Sequence, residues 1–187
     1  MSENAREAIL AAAKSAAQLH GYSGINFRSI AEEVGIKNAS IYYHFPSKAD
    51  LGAAVAKRYW QDTLAVLQVI RISNTDPRRC LQLYPSIFRK SLIDGNKLCL
   101  SSFMAAEYKD LPGQVSRAVK EFADVNVKWL AEMLTDAGGG ATQDCERRAR
   151  AIYTAVAGAQ LIARINADIA LFDDLMLSYQ EAGLIPA

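Results

Sequence analysis

Histidine is nearly missing from this chain, with two among 187 residues. His20 ends the first helical stripe and His44 lies in the SIYYHF segment, and neither belongs to a sequence-local Ser or Cys arrangement of nucleophile and base. Acyl-transfer chemistry therefore has no support, and the chain is expected not to be an enzyme. Cysteine is scarce as well: Cys80, Cys99 and Cys145 are odd in number and widely spaced. They form no CxxC or Cys/His pattern for zinc and no disulfide framework, which suits a reducing compartment. No metal and no cofactor are expected. Apolar runs fall short of the roughly 18 to 20 residues that span a bilayer. The start, Met1-Ser2-Glu3-Asn4-Ala5-Arg6, lacks a basic region followed by an apolar core, so a soluble cytoplasmic protein with no membrane partner is expected. An excess of charge of either sign is also absent. With a net charge of +1, any case for nucleic acid must rest on a local surface. Gly138-Gly139-Gly140 has neither a flanking strand nor a lysine, so it is no phosphate loop. Glu32-Glu33 and Asp173-Asp174 are adjacent pairs that diverge on a helix and read as solvated faces.

What is present is apolar residue at helical spacing. Hydrophobic residues make up 51% of the chain, enough for one large or two small cores. From Glu7, Ala8, Leu10 to Ala13, Ala16, Ala17 and Leu19 form a broad stripe that Gly21 stops. Asn26 is placed to cap a short second helix carrying Phe27, Ile30, Ala31 and Val34, and Gly35 suits the left-handed position after it. Asn38 can cap a third segment, Ala39 to Phe45, which Pro46 ends. Ser47 with Asp50 resembles a capping box that opens a long helix from Lys48 to about Ile72. Asp76-Pro77 starts a fifth helix with Leu81, Tyr84, Ile87, Phe88 and Leu92 in series. Further helices are expected over about 98–111, from Pro112 to the triple glycine, over about 143–166 and over about 168–182. No period-2 run with a hairpin turn appears, so the class is all-α with about nine helices.

The segment Ser40-Ile41-Tyr42-Tyr43-His44-Phe45 is the informative one. Ile41 and Phe45, four apart, point together into a core. Ala39, Ser40, Tyr43 and His44 then lie on the opposite side, with Tyr42 at the flank. Two short helices joined by a tight glycine-containing turn form a helix-turn-helix, whose second helix enters the major groove. Small side chains let the backbone approach base edges, while Tyr, His and Lys tips reach phosphates.

Residues 21–51, GYSGINFRSIAEEVGIKNASIYYHFPSKADL, closely resemble the DNA-binding signature of the TetR family of bacterial transcriptional regulators. The matching elements are Gly21-Tyr22, Ile30-Ala31, Val34-Gly35-Ile36, Ala39 to Phe45, Ser47-Lys48 and Leu51. Asn26 departs from the family's usual Ser or Thr but caps equally well. The resemblance implies Arg28 for a base or phosphate, Lys37, Asn38, Ala39, Ser40 and Tyr43 in or beside the groove, and Tyr42, His44 and Lys48 on phosphates. Lysine at a helix start opposes the dipole, so a phosphate near Lys48 would explain it. It also implies a DNA-binding domain at 1–47 and an effector-binding and dimerisation domain at 48–187.

One such unit reads few bases, and dimeric readers bind half-sites about 34 Å apart, so an inverted-repeat operator and a homodimer are expected. The helix from Ala149 to Ile165 is apolar or small nearly all round: Ile152, Val156 and Ala159 on one side, Ala151, Ala155, Gly158 and Ile162 on another. Such a helix is buried on both sides. The resemblance implies a four-helix bundle between protomers, with Leu171, Phe172, Leu175, Met176 and Tyr179 contributing. Tyr59, Trp60, Leu64, Tyr84, Phe88, Phe103, Met104, Tyr108, Phe122 and Trp129 concentrate rings in the middle helices, as a pocket for a small-molecule effector would require. In the family's logic, a ligand between the fourth and seventh helices moves the fourth and takes the readers out of register, so ligand and DNA oppose each other.

Gly95-Asn96-Lys97-Leu98-Cys99-Leu100, followed by Ala105-Ala106-Glu107-Tyr108, resembles a sub-branch with a Cys-Leu pair opening the sixth helix, which includes regulators of electrophile and aldehyde defence. A thiol at a helix N-terminus near Lys97 would shift toward thiolate, so Cys99 is a candidate sensor as well as a candidate packing residue. The expectation is a homodimeric DNA-binding repressor released by a small effector. The alternatives are a thiol sensor acting through Cys99 and a ligand-binding dimer without DNA.

Overall fold

The computed structural model describes residues 3–186 and is all-helical there. The leader expectation on Met1 and Ser2 lies outside the described residues. The helices are α1 (Glu3–His20), α2 (Phe27–Val34), α3 (Asn38–His44), α4 (Lys48–Ser73), α5 (Pro77–Leu83), α6 (Ser86–Ile93), α7 (Leu100–Ala106), α8 (Gly113–Asp136), α9 (Thr142–Asn166) and α10 (Ile169–Glu181), with a 3-10 turn at Tyr108–Asp110. Counting α5 and α6 as one broken helix gives the expected nine. The break has a simple cause. Pro85 has no N–H to return to the preceding turn, so the ladder loses a bond there, although Tyr84 keeps right-handed helical dihedrals, donates to the Cys80 carbonyl at 3.1 Å, and the apolar series runs on through it.

By packing, the chain forms two compact units: Met1–Trp60 with Leu100–Phe122, and Gln61–Cys99 with Ala123–Ala187. This division concerns packing and leaves the functional boundary at 47/48 as a separate matter. In the first unit α1 packs on α2 and α7, and α2 on α3. Ile9, Ala13, Ile25, Ile30, Ile41, Phe45, Leu51, Met104, Val115 and Phe122 fill its core. Tyr59 stacks on Phe122 with centroids 5.2 Å apart.

In the second unit α9 packs on α10 and α6. Tyr84, Phe88, Trp129, Ile152, Val156, Ala159 and Phe172 are buried there. Gln160, fully buried, accepts from the Cys99 N–H at 3.0 Å and donates to the Phe88 carbonyl at 2.8 Å, so a polar side chain in the core leaves neither end unmet. Arg148 donates to the Gly183 and Leu184 carbonyls at 2.6 and 3.0 Å and secures the turn after α10. Among the described residues no helix is long and apolar enough to cross a membrane, and no group of three or more His, Cys, Asp or Glu is placed to hold a metal.

Candidate nucleic-acid interface

The reader is built by caps at both ends of α2. Asn26 Oδ1 accepts from the Arg28 and Ser29 N–H groups at 2.9 and 3.1 Å, satisfying two of the donors that a helix start leaves open. At the other end Gly35 takes φ +74°, which its missing Cβ permits. The N–H groups of Gly35 and Ile36 then return to the Glu32 and Ala31 carbonyls at 3.3 and 3.0 Å, closing a Schellman turn. The chain is thereby turned sharply into α3. Here one expectation is corrected: Asn38 is the first residue of α3, and Lys37 occupies the cap position without a side-chain bond.

In α3, Ile41 and Phe45 are buried at 0% and 3% exposure, anchoring the helix by one face. The opposite face is open. Lys37, Asn38 and Ala39 are exposed, Ser40 is half-buried, and Tyr43 is 72% exposed. Tyr42 is 53% exposed, with its ring edge-on to Phe27 at 4.9 Å, so it is steadied from behind while its tip stays free to reach outward. Arg28 pairs with Glu32 at 3.1 Å on a highly exposed face, a tie that a phosphate can displace at little cost.

Two members of the set differ from the rest. His44 has its Nε2 buried without a hydrogen-bond partner, so that atom cannot reach a phosphate. Lys48 Nζ donates to the Ser23 carbonyl at 3.0 Å and lies 4.8 Å from the Tyr22 ring centroid. The carbonyl and ring account for a lysine at this helix start without any phosphate. Ser47 does cap α4, its Oγ accepting from the Asp50 N–H at 3.2 Å and donating to the Asp50 carboxylate at 2.7 Å. With Gln114 on the same carboxylate, Asp50 is held below the usual range, chiefly by Ser47.

The residues expected around an effector divide between the units. Trp60, Phe103, Met104, Tyr108 and Phe122 belong to the first, and Leu64, Tyr84, Phe88, Cys99 and Trp129 to the second. Tyr108 is 67% exposed on the 3-10 turn, so it is no pocket wall in this conformation. Trp60 borders an open groove of about 500 Å³ with Lys57, Gln114, Arg117 and Glu121.

In the second unit Tyr84 stacks on Trp129 with centroids 6.0 Å apart, and its hydroxyl hydrogen-bonds Asn126 Oδ1 at 2.9 Å. Phe88 lies 5.8 Å from Tyr84 and 6.3 Å from Tyr153. Trp129 Nε1 is buried without an acceptor. Sequence reasoning missed Tyr153. It stands where α8 and α9 border a groove of about 990 Å³, and burial, with a lesser contribution from nearby Cys99, pushes its phenol well above the ordinary value. Its signal was available: it is the one aromatic ring in α9. Cys99 itself is 1% exposed and precedes α7, while Lys97 is paired with Asp94 at 2.9 Å. The thiol is thus shielded from solvent in this conformation.

The dimer residues also divide. Ile152, Val156, Ala159, Phe172 and Met176 are buried in the second unit's own core. Ala155, Leu175 and Tyr179, with Leu171, are half-buried, and Ile162 is 48% exposed. The outward stripe of α9 runs Ala151, Thr154, Gly158, Leu161, Ile162, Ile165, with Leu177 exposed on α10.

Comparison with known proteins agrees with this geometry. Residues 9–55 match the model of the bacterial regulatory proteins of the tetR family. A TetR transcriptional regulator from Legionella pneumophila is 31% identical with a TM-score of 0.88, over 97% of this chain and 98% of that one. A TetR-family regulator from Agrobacterium tumefaciens is 27% identical with a TM-score of 0.89, over 96% and 97%. The reduced form of NemR from E. coli shares the fold at 19% identity and a TM-score of 0.81, over 95% of this chain and 96% of that one. No curated protein sequence matches the chain. The capped helix pair, the family match across it and the full-length likeness together place this chain in the tetR family of bacterial regulatory proteins, as a DNA-binding transcriptional regulator.

Proposed function

We propose that this regulator is a homodimeric repressor that reads an inverted-repeat operator and leaves it when a small molecule occupies the second unit. The observation that carries the reading is α3. A helix fixed by Ile41 and Phe45 turns Lys37, Asn38, Ala39, Ser40 and Tyr43 to solvent, where small side chains at its start allow close approach to base edges. On this reading residues 1–47 are the DNA-binding domain, and residues 48–187 bind effector and partner. Arg28, Lys37, Tyr42 and Tyr43 contact DNA directly. His44 and Lys48 act mainly in support, given the buried Nε2 and the bond to Ser23. Such a protein works in the cytoplasm, with the DNA.

Support for the dimer comes from the outward stripe of α9. Gly158 lies mid-helix, where glycine costs about 1 kcal/mol relative to alanine. A Cβ there would meet nothing within 4 Å, so the protomer itself does not require the glycine. The close approach of a second helix would. Support for the effector comes from the aromatic interior of the second unit, where Trp129 Nε1 still lacks an acceptor. Release by a bound molecule is favoured over release by thiol modification because Cys99 is shielded from solvent.

The test is titration of duplexes recovered by selection from a random library. Wild type should retain them, and Tyr43→Ala and Lys37→Ala should each bind several-fold more weakly. Tyr43→Ala should do so with unchanged helicity, because the ring is exposed. A folded wild-type dimer that retains no duplex even at low salt would overturn the reading in favour of a ligand-binding dimer without DNA.

A further inference from the structure

Lys48 grips one side of the turn between α1 and α2, and a residue far away in sequence grips the other. Glu107 follows α7 directly and reaches 85 residues back. The Tyr22 N–H donates to its Oε2 at 2.5 Å, and the Ser23 N–H donates to its Oε1 at 3.3 Å. Two successive backbone donors on one carboxylate make a charge-assisted pair. Lys48 meanwhile holds the Ser23 carbonyl at 3.0 Å. The same short turn is therefore held by its donors from the end of α7 and by its acceptor from the start of α4.

Neighbouring residues leave room for this contact. Gly21 has φ +69°, and a Cβ there would overlap the Glu107 carboxylate. A Cβ on Gly52 would come within 2.6 Å of the Tyr22 ring. The turn in turn sets the start of α2. The Gly24 N–H donates to the Gly21 carbonyl at 3.2 Å, the Ile25 N–H to the Tyr22 carbonyl at 3.1 Å, and Asn26 then caps the helix. A shift of Tyr22 and Ser23 carries α2 with it, and α3 packs on α2.

We infer that Glu107 is a positioning residue for DNA reading. Its carboxylate clasps Tyr22 and Ser23, fixes the angle at which α2 and α3 are presented, and frees them when α7 is displaced. The inference rests on the DNA-binding function proposed above. Glu107 acts through the turn and contacts no base or phosphate.

The experiment compares full-length wild type with Glu107→Gln and Glu107→Asp. Fluorescence anisotropy at one salt concentration, well below the unfolding temperature, measures affinity for a selected duplex and for a scrambled duplex of the same length. Glu107→Gln removes one negative charge, which raises affinity for both duplexes alike, so the ratio of the two affinities isolates orientation. Glu107→Asp keeps the charge and shortens the reach. The ratio should fall about tenfold in both variants, the scale of one charge-assisted bond expressed as an equilibrium constant. Amide exchange at Tyr22 and Ser23 should quicken. If Glu107→Gln fails to fold, Glu107→Asp carries the comparison. Ratios within twofold of wild type, with only thermal stability lowered, would make Glu107 a packing tie and overturn the inference. Failure of wild type itself to discriminate between the duplexes would instead remove the DNA-binding function, and the inference with it.

Discussion

Ile165→Asp should separate the protomers, and the effect can be estimated from exposure. Ile165 is 73% exposed near the end of α9, in line with Ile162 and Leu161, so most of its side chain is still available for burial. Complete burial of such a side chain contributes about 1.5–3 kcal/mol, so the remaining share is about 1–2 kcal/mol per copy. A twofold interface uses the same patch twice, giving about 2–4 kcal/mol per dimer. At about 1.4 kcal/mol per tenfold, the dissociation constant should rise by roughly 30- to 700-fold, and the buried aspartate charge makes this a floor. Sedimentation velocity over a concentration series reads it directly. Ile72→Asp is the control: Ile72 is 84% exposed near the end of α4, on a different helix from the stripe, and its loss should leave association unchanged. An Ile165→Asp protein that stays dimeric with wild-type affinity, or an equal effect from Ile72→Asp, would refute the assignment of this face.

Ala167→Gly should stabilise the protein. Ala167 ends α9 at φ +50°, a region that costs a residue with a Cβ roughly 1–2 kcal/mol, so relief should raise the Tm by about 2–4 °C or more in a thermal melt. The Arg89 pair with Asp173 should make the α6–α10 contact acid-sensitive. The guanidinium donates twice to this carboxylate, at 2.7 and 2.8 Å, and holds it below its ordinary value of 3.8. A lowered folded-state value contributes stability above pH 3.8 that is lost as pH falls through the folded value. Wild type should therefore exceed Asp173→Asn in denaturant midpoint at neutral pH and converge with it in strong acid. A difference that persists unchanged at low pH would contradict this.

Local chemistry made much of the reader legible. Asn26, Gly35, Pro46 and Asp76-Pro77 act within a few residues of themselves, and each helix end they mark is where the sequence places it, within a residue. The break at Pro85 was hidden because Tyr84, Phe88 and Leu92 keep helical spacing across it and are all buried. Periodicity showed that α9 has two apolar faces but not which one the protomer keeps. Packing on α6 and α10 decides that Ile152, Val156 and Ala159 turn inward, while Gly158, Ile162 and Ile165 turn outward. The bonds of Lys48 and Glu107 to the α1–α2 turn span 25 and 85 residues, and no local pattern announces such partners.

The most direct test of DNA reading by paired α3 helices is to sequence the duplexes that the wild-type protein recovers from a random library. The account predicts an inverted repeat whose half-sites are centred about one helical turn apart or a multiple of it, lost from the recovered pool when Tyr43 is replaced by alanine. Recovery of a single unrepeated motif, or the same motif recovered equally well by Tyr43→Ala, would contradict it.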